Sequence, residues 1–294
     1  MSPKFHLAER IYFVISRTME EMIVTRLATL GHPQRLAIFR LLMRRYPDAL
    51  PAGEIGAVLD LKPSTLSAYL GALAQAGLVS QSRAGTSLLY RIEIESVRAT
   101  FDYLLLECCR GRPEICSSPT LPSSRTPEPM TGRKFNVLFI CSGNSARSIL
   151  AETILRDLAG ERFTAYSAGT KPFSELNPFA LKVLRDKEHD IAPLRAKHVS
   201  EFTGPEAPRM DFVFTVCNQA ANEECPAWEG QPISGHWGMP DPVKVEGTEA
   251  EKALAFQQTY GALRRRIEAF AALPLAALDR IALQSAVDDI GRSQ

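Results

Sequence analysis

Three groups of residues in this chain have the types and spacing to do chemistry. The first is Cys141-Ser-Gly-Asn-Ser-Ala-Arg147-Ser148, a cysteine and an arginine separated by five residues, directly after the apolar run Phe135-Asn-Val-Leu-Phe-Ile140. In such a turn, successive backbone N–H groups and the N-terminus of a following helix converge on one point, which favours both an oxyanion and a thiolate. Ser142, Gly143, Asn144, Ser145, Ala146, Arg147 and Ser148 would bind the oxyanion. The planar guanidinium of Arg147 would hold two oxygens of a tetrahedral anion, and Ser148 would donate a hydrogen bond to the thiolate. Thiol pKa values in such places fall to about 3.5–7.5, so Cys141 is expected to be a nucleophile at neutral pH.

The second group lies downstream. Pro240-Asp241-Pro242 offers a carboxylate in a stiff loop, suited to give a proton to a leaving group. Val216-Cys217-Asn-Gln-Ala-Ala-Asn-Glu-Glu-Cys225 places two more thiols at the C-terminal end of an expected parallel strand, the end that faces the ligand crevice in such sheets. Hydrolysis through Cys141 would need no extra thiol, whereas a reduction must supply two electrons, and therefore a second thiol to attack and usually a third to resolve. His236 and Trp237, just before Asp241, read as packing residues.

The third group, Glu107-Cys-Cys-Arg-Gly-Arg-Pro-Glu-Ile-Cys116, holds Cys108, Cys109 and Cys116. Structural zinc takes four Cys or His ligands, and no histidine lies between His32 and His189. Three thiolates suit a soft ion such as trivalent arsenic or antimony; reactive but unliganded thiols at a helix end are the alternative.

The elements that must position these groups follow from patterning. Residues 117–133, rich in Pro, Ser and Thr and without apolar periodicity, read as a linker. They separate a domain at 1–116 from one at 134–294. The first carries 14 Lys/Arg against 11 Asp/Glu, a weak lean toward DNA, while the whole chain has a net charge of +1. Its helical spacing, then Leu50–Leu61, then Lys62–Val79 stopping at Gly77, is a helix-turn-helix pattern, and Ser80–Glu93 fits a β-hairpin wing around Ala84-Gly85. Ser64, Thr65, Ser67 and Tyr69 would meet the major groove, with Arg83 and Arg91 on phosphates. His32, before Pro33, reads as structural. Ile94–Cys109 is again helical.

In the second domain, strands at Phe135–Ile140, Phe163–Ser167 and Asp211–Val216 alternate with helices at Ser148–Leu158, Asn177–Lys187 and Thr248 to Leu273. The expected fold is therefore a mainly α winged helix-turn-helix domain followed by an α/β doubly wound parallel sheet with a phosphate-binding loop. The N-terminus carries no secretory signal pattern, and no run of about 18 apolar residues occurs, so a soluble cytoplasmic protein with reduced thiols and no membrane partner is expected.

Gly31-His-Pro-Gln-Arg-Leu-Ala-Ile-Phe-Arg-Leu-Leu42 and Ser64–Val79 resemble the ArsR/SmtB family of metal-responsive repressors. That resemblance implies a homodimer on an inverted-repeat operator, released by a metal or metalloid. The three thiols at 108, 109 and 116 resemble those of its arsenite-sensing members. Cys141–Ser148 together with Asp241 resembles the low-molecular-weight protein tyrosine phosphatase family, and Cys217, Cys225 and Gly235–Pro242 resemble its arsenate reductase branch. What that branch implies is attack of Cys141 on arsenate with Asp241 assisting, capture by Cys217 with release of arsenite, and resolution by Cys225. No bound cofactor is needed; an external thiol reductant, thioredoxin or glutaredoxin with glutathione, closes the cycle. Two departures stand out: the relay cysteines are eight apart, and Ala146 stands where some members carry another Cys. Three readings are open: an arsenite-responsive repressor fused to an arsenate reductase, a DNA-binding regulator fused to a phosphatase, and a non-enzymatic oxyanion-sensing repressor.

Overall fold

The computed structural model describes residues 19–108, 133–204, 206–223, 228 and 231–292. Contacts divide the chain into two compact units, Met1–Cys116 and Ser117–Gln294.

The first unit opens with helix α1 over residues 19–30, then α2 (Pro33–Arg45), β1 (Leu50–Pro51), α3 (Ala52–Leu59) and α4 (Pro63–Gln75). A hairpin of β2 (Val79–Ala84) and β3 (Ser87–Ile92) follows, then α5 (Ile94–Tyr103), which ends in a π-helical turn at Leu104–Cys108. The sheet is antiparallel in the order β1-β3-β2. Proline sits in the first turn of α2 and α4, where its missing N–H removes no helical bond. Leu66, Leu70 and Leu73 on one face of α4 close the core against Ile38, Leu41 and Leu42 of α2. Gly77 then takes φ 68°, the left-handed conformation that turns the chain into the wing.

The second unit contains β4 (Phe135–Cys141), α6 (Arg147–Ala159), β5 (Phe163–Gly169), α7 (Pro178–Asp186) and a 3₁₀ turn at Val199–Phe202. Next come β6 (Phe212–Thr215), α8 (Asn218–Asn222), β7 (Ile233–His236), a 3₁₀ turn at Pro242–Lys244, α9 (Glu249–Ala271) and α10 (Arg280–Arg292). The sheet order is β5-β4-β6-β7, and every pairing is parallel. Val137, Leu138, Phe139 and Ile140 are all fully buried, which is why β4 reads as an unbroken apolar run. The register pairs Cys141 with Gly169, Ile140 with Thr215, and Thr215 with His236. The chain leaves β4 toward β5 on one side and reaches β6 on the other, so the sheet reverses at β4. Ligands of doubly wound sheets bind at such a switch point, outside the strands' carboxyl ends.

The expected fold class is borne out. Two elements differ from the expectations. β7 was not anticipated, because four residues with a central glycine carry no readable alternation. The helix expected over Ile94–Cys109 keeps α geometry only to Tyr103, after which the backbone widens into the π turn. The stretch after Pro274, helical in its spacing and suited to packing, forms α10 as the sequence leads one to expect, with Val287 and Ile290 packed beside β7. No helix among the described residues is long and apolar enough to cross a membrane.

Candidate functional site

Cys141 ends the central strand and is 3% exposed. The turn after it is pinned by the chain that follows β5. The carbonyls of Cys141, Ser142, Gly143 and Ser145 accept from the N–H groups of Thr170, Lys171, Phe173 and Asn177, at 2.9–3.2 Å. An anion is repelled by carbonyl oxygens, and these four are already engaged. Gly143 lets the exposed Phe173 ring lie against the loop, since a Cβ there would stand 2.5 Å from the ring and push it away.

Asn144 is the hinge of the loop. It holds φ 43°, a left-handed conformation that asparagine tolerates better than most residues. Its side chain, fully buried, donates to Ser148 Oγ and Ser167 Oγ, both at 2.9 Å, and accepts from the Lys197 backbone N–H at 2.7 Å. Because Ser148 Oγ accepts from Asn144, its own proton is free for Cys141 Sγ, 2.9 Å away. The Asn144 N–H donates to the same sulfur at 3.2 Å. Beneath, Ser167 donates to Glu152, whose carboxylate pairs with the buried Lys197 ammonium at 3.0 Å. Sequence reasoning missed Glu152, Ser167 and Lys197, which are distant in sequence and meet only through the fold.

Arg147 donates from Nη1 to the Met239 carbonyl at 3.0 Å and pairs through Nη2 with Asp241 Oδ2 at 2.8 Å. The structure thus brings together Cys141, Arg147 and Asp241. Asp241 also accepts from the Val243 N–H at 3.2 Å, capping the 3₁₀ turn. Cys217 is buried and is the N-cap of α8, accepting from the Ala220 N–H at 3.3 Å; its sulfur lies 3.6 Å from Ser142 Oγ. Cys225 lies outside the described residues.

The expected fall in the Cys141 pKa is corrected. Burial pushes this thiol up, and the neighbouring Cys217 adds to the effect. The hydrogen bonds of Ser148 and the charge of Arg147 pull down without reversing it. The physical reason is that the sulfur is nearly sealed from water while Arg147 is committed to Asp241.

In the first unit, Ser64, Ser67, Arg83 and Arg91 are exposed and Thr65 is half-buried. Arg91 leans on Ser80 Oγ at 3.3 Å. Tyr69 is half-buried against the core, its hydroxyl 3.5 Å from His32 Nε2, so part of its surface serves packing. His32 caps α2 by accepting from the Gln34 N–H, the structural role expected of it. Cys108 is exposed in the π turn. Cys109 and Cys116 lie outside the described residues, and among the described residues no group of three or more metal-ligating side chains occurs.

A Cys141-to-Arg147 loop at the switch point of a parallel sheet, joined to a winged helix-turn-helix, defines the class. The low molecular weight phosphotyrosine protein phosphatase model matches residues 136–282, half of the chain, and a helix-turn-helix domain model matches residues 30–81. The chain belongs to the low molecular weight phosphotyrosine protein phosphatase family, with a helix-turn-helix domain fused ahead of it. An arsenate reductase of Oceanobacillus iheyensis is 37% identical over 135 residues, 46% of this chain and 94% of that protein. One of Bacillus licheniformis is 37% identical over 139 residues, 47% of this chain and 96% of that protein. Among solved structures, an arsenate reductase in oxidized state aligns with 23% identity and a TM-score of 0.39, over 47% of this chain and 96% of that one.

Proposed function

We propose that the second unit reduces arsenate to arsenite by a thiol relay and that the first is a repressor released by the product. The observation that carries the enzymatic reading is Cys217, buried at the mouth of the oxyanion loop with its sulfur 3.6 Å from Ser142 Oγ. A hydrolytic enzyme has no use for a thiol there. The similarity to curated arsenate reductases along nearly their whole length supports the same reading.

The residues divide the work as follows. Arg147 and the loop amides bind the oxyanion. The Cys141 sulfur attacks arsenic and an arsenate oxygen leaves as water or hydroxide, with Asp241 aiding its departure. The thiol proton that burial favours on Cys141 can pass to a bound dianionic oxyanion, itself a base. Cys217 then attacks the Cys141 sulfur: the S–S bond forms, the S–As bond breaks, and its electron pair stays on arsenic, which leaves as arsenite. Two thiols have become a Cys141–Cys217 disulfide. Cys225 attacks Cys217, freeing Cys141, and an external dithiol, thioredoxin or glutaredoxin with glutathione, reduces the Cys217–Cys225 disulfide. No bound cofactor takes part.

For the regulatory half, α4 would enter the major groove with Ser64, Thr65, Ser67 and part of Tyr69, while Arg83 and Arg91 on the wing meet phosphates. Arg26 ties α1 to α5 by donating to Ser96 O and Thr100 Oγ1. These helices and the π turn leave Met19, Met22, Leu27, Phe101 and Leu105 exposed, which supports a homodimer. Cys108, in a π turn of the kind frequent at functional sites, would bind trivalent arsenic or antimony with Cys109 and Cys116.

The deciding assay is arsenate reduction by purified protein with thioredoxin and, separately, with glutaredoxin and glutathione. Turnover with at least one and its loss in Cys217→Ser is expected. Failure with both removes the reductase reading. An aryl phosphatase activity that survives Cys217→Ser, with no arsenate reduction in the wild type, favours the phosphatase instead.

A further inference from the structure

His236 ends β7, and its ring spans the segment that carries Cys217. Nδ1 is 2.8 Å from Thr215 Oγ1, at the end of β6, and Nε2 is 3.2 Å from Asn218 Oδ1, at the start of α8. The amide oxygen of Asn218 can only accept, so Nε2 donates to it and Nδ1 accepts from the Thr215 hydroxyl. Between these two anchors lie only Val216 and Cys217. The ring is 2% exposed, and the next residue but one, Gly238, leaves no slack. A Cβ there would stand 2.5 Å from His236 Nε2 and 2.6 Å from Asn218 Oδ1.

The element held in this way cannot hold itself. α8 has five residues, far too few for a helix to be stable alone. Its N-cap is the Cys217 side chain, through the bond from the Ala220 N–H. When Cys217 attacks the adduct, its sulfur leaves that capping position, and the helix loses its cap during the reaction step. The His236–Asn218 bond does not involve the sulfur and survives the step.

We infer that His236 is the positioning residue of the relay thiol: through Asn218 it keeps the start of α8 fixed while Cys217 gives up its cap and reaches Cys141. This rests on the reading of Cys217 as the second thiol. Among the described residues, the two ring bonds of His236 go to Thr215 and Asn218, not to a reacting atom. Its contribution is confined to formation of the Cys141–Cys217 disulfide, in which two thiols are oxidised and arsenic(V) is reduced to arsenic(III).

The test uses the full chain as His236→Leu, His236→Gln, Asn218→Ala and Gly238→Ala. Steady-state arsenate reduction is measured alongside competitive inhibition by inorganic phosphate. A single turnover without reductant is followed by mass spectrometry of the Cys141–Cys217 disulfide. In His236→Leu, kcat and the rate of disulfide formation should fall by roughly tenfold to a hundredfold, the scale of an ångström's misplacement. The arsenate KM and the phosphate inhibition constant should stay at wild-type values, because the Cys141–Arg147 loop is intact. His236→Gln, which keeps a donor amide, should recover most of the rate. Asn218→Ala, at an exposed position that tolerates the change, should behave as His236→Leu does, and so should Gly238→Ala. Wild-type kcat in both His236→Leu and Asn218→Ala overturns the inference. So does phosphate affinity falling in step with kcat, which is the mark of general misfolding, or a glutamine variant no better than leucine. A wild type that reduces no arsenate removes the reading of Cys217 and the inference with it; an active wild type with unaffected variants removes the inference alone.

Discussion

At Cys141 two opposing influences meet in one thiol. Burial and Cys217 push its pKa up; Ser148 and Arg147 pull it down. Only the thiolate is alkylated. The sign therefore follows directly: wild-type Cys141 should react more slowly with iodoacetamide at neutral pH than a free cysteine. Its rate should climb about tenfold per pH unit until the pH passes above the ordinary thiol range near 8.5. Ser148→Ala removes a downward influence and should move the profile to higher pH. Cys217→Ser removes an upward one and should move it to lower pH. Alkylation of the Cys141 peptide followed by mass spectrometry separates the two, and shifts of the same sign in both variants would refute this account. The loop itself was legible in the sequence because cysteine, glycine, asparagine and arginine crowd into eight positions between a buried strand and a helix. The support beneath it was not. Asn144 meets Lys197 across 53 positions, and no local pattern announces that a buried lysine and Glu152 close the network. The direction of the thiol's pKa was equally hidden, since it depends on how completely the fold seals the sulfur and on Arg147 finding Asp241.

α10 shows how an added element bears on this site. The family match ends at residue 282, whereas α10 continues to Arg292. Its Val287 carbonyl accepts from the Trp237 indole N–H at 3.2 Å, and Gln284 donates to the Ser234 carbonyl at 2.7 Å. The helix thus closes the β7 edge and steadies the residues leading to Asp241. Amphipathic spacing made a helix legible here, but its partner strand was not, because Ile233-Ser-Gly-His236 has too few residues to show a period. Docking α10 places Asp288 in a partly desolvated position. Burial, with Asp289 beside it, raises the Asp288 pKa to about 6 against the pull of Gln284 and Arg292. A carboxyl raised in the folded state disfavours folding wherever it must be charged. The penalty is absent below the unfolded pKa of about 3.9 and complete above about 6. Asp288→Asn keeps the oxygen that accepts from Gln284 and should stabilise the protein at pH 7 to 8 by about 1 kcal/mol, allowing for solvent screening of this half-exposed group. At pH 4 the gain should vanish. Thermal melts at the two pH values check it, and an equal effect at both would place the origin elsewhere.

Across the whole molecule, the two thiol sets acquire a joint meaning only if the product of one is the ligand of the other. Arsenate is a tetrahedral oxyanion suited to the Cys141 loop, and arsenite is a trivalent thiophile suited to Cys108, Cys109 and Cys116. A small product diffuses freely, so under the proposed function the gain of the fusion is equal amounts of sensor and enzyme. The consequence can be measured on the full chain bound to a DNA fragment from its own promoter. Arsenite should release the DNA from wild type and from Cys141→Ser alike, because under the proposed function release needs only the thiols at 108, 109 and 116. Arsenate should release it from wild type alone, and only when a thiol reductant is supplied. The triple Ser variant at 108, 109 and 116 should hold the DNA under both oxyanions while still reducing arsenate. Release of Cys141→Ser by arsenate would mean that the loop senses the oxyanion without chemistry. Release of the triple variant by arsenite would remove the sensor from this segment, and the fused enzyme would then supply an inducer that the chain itself does not read.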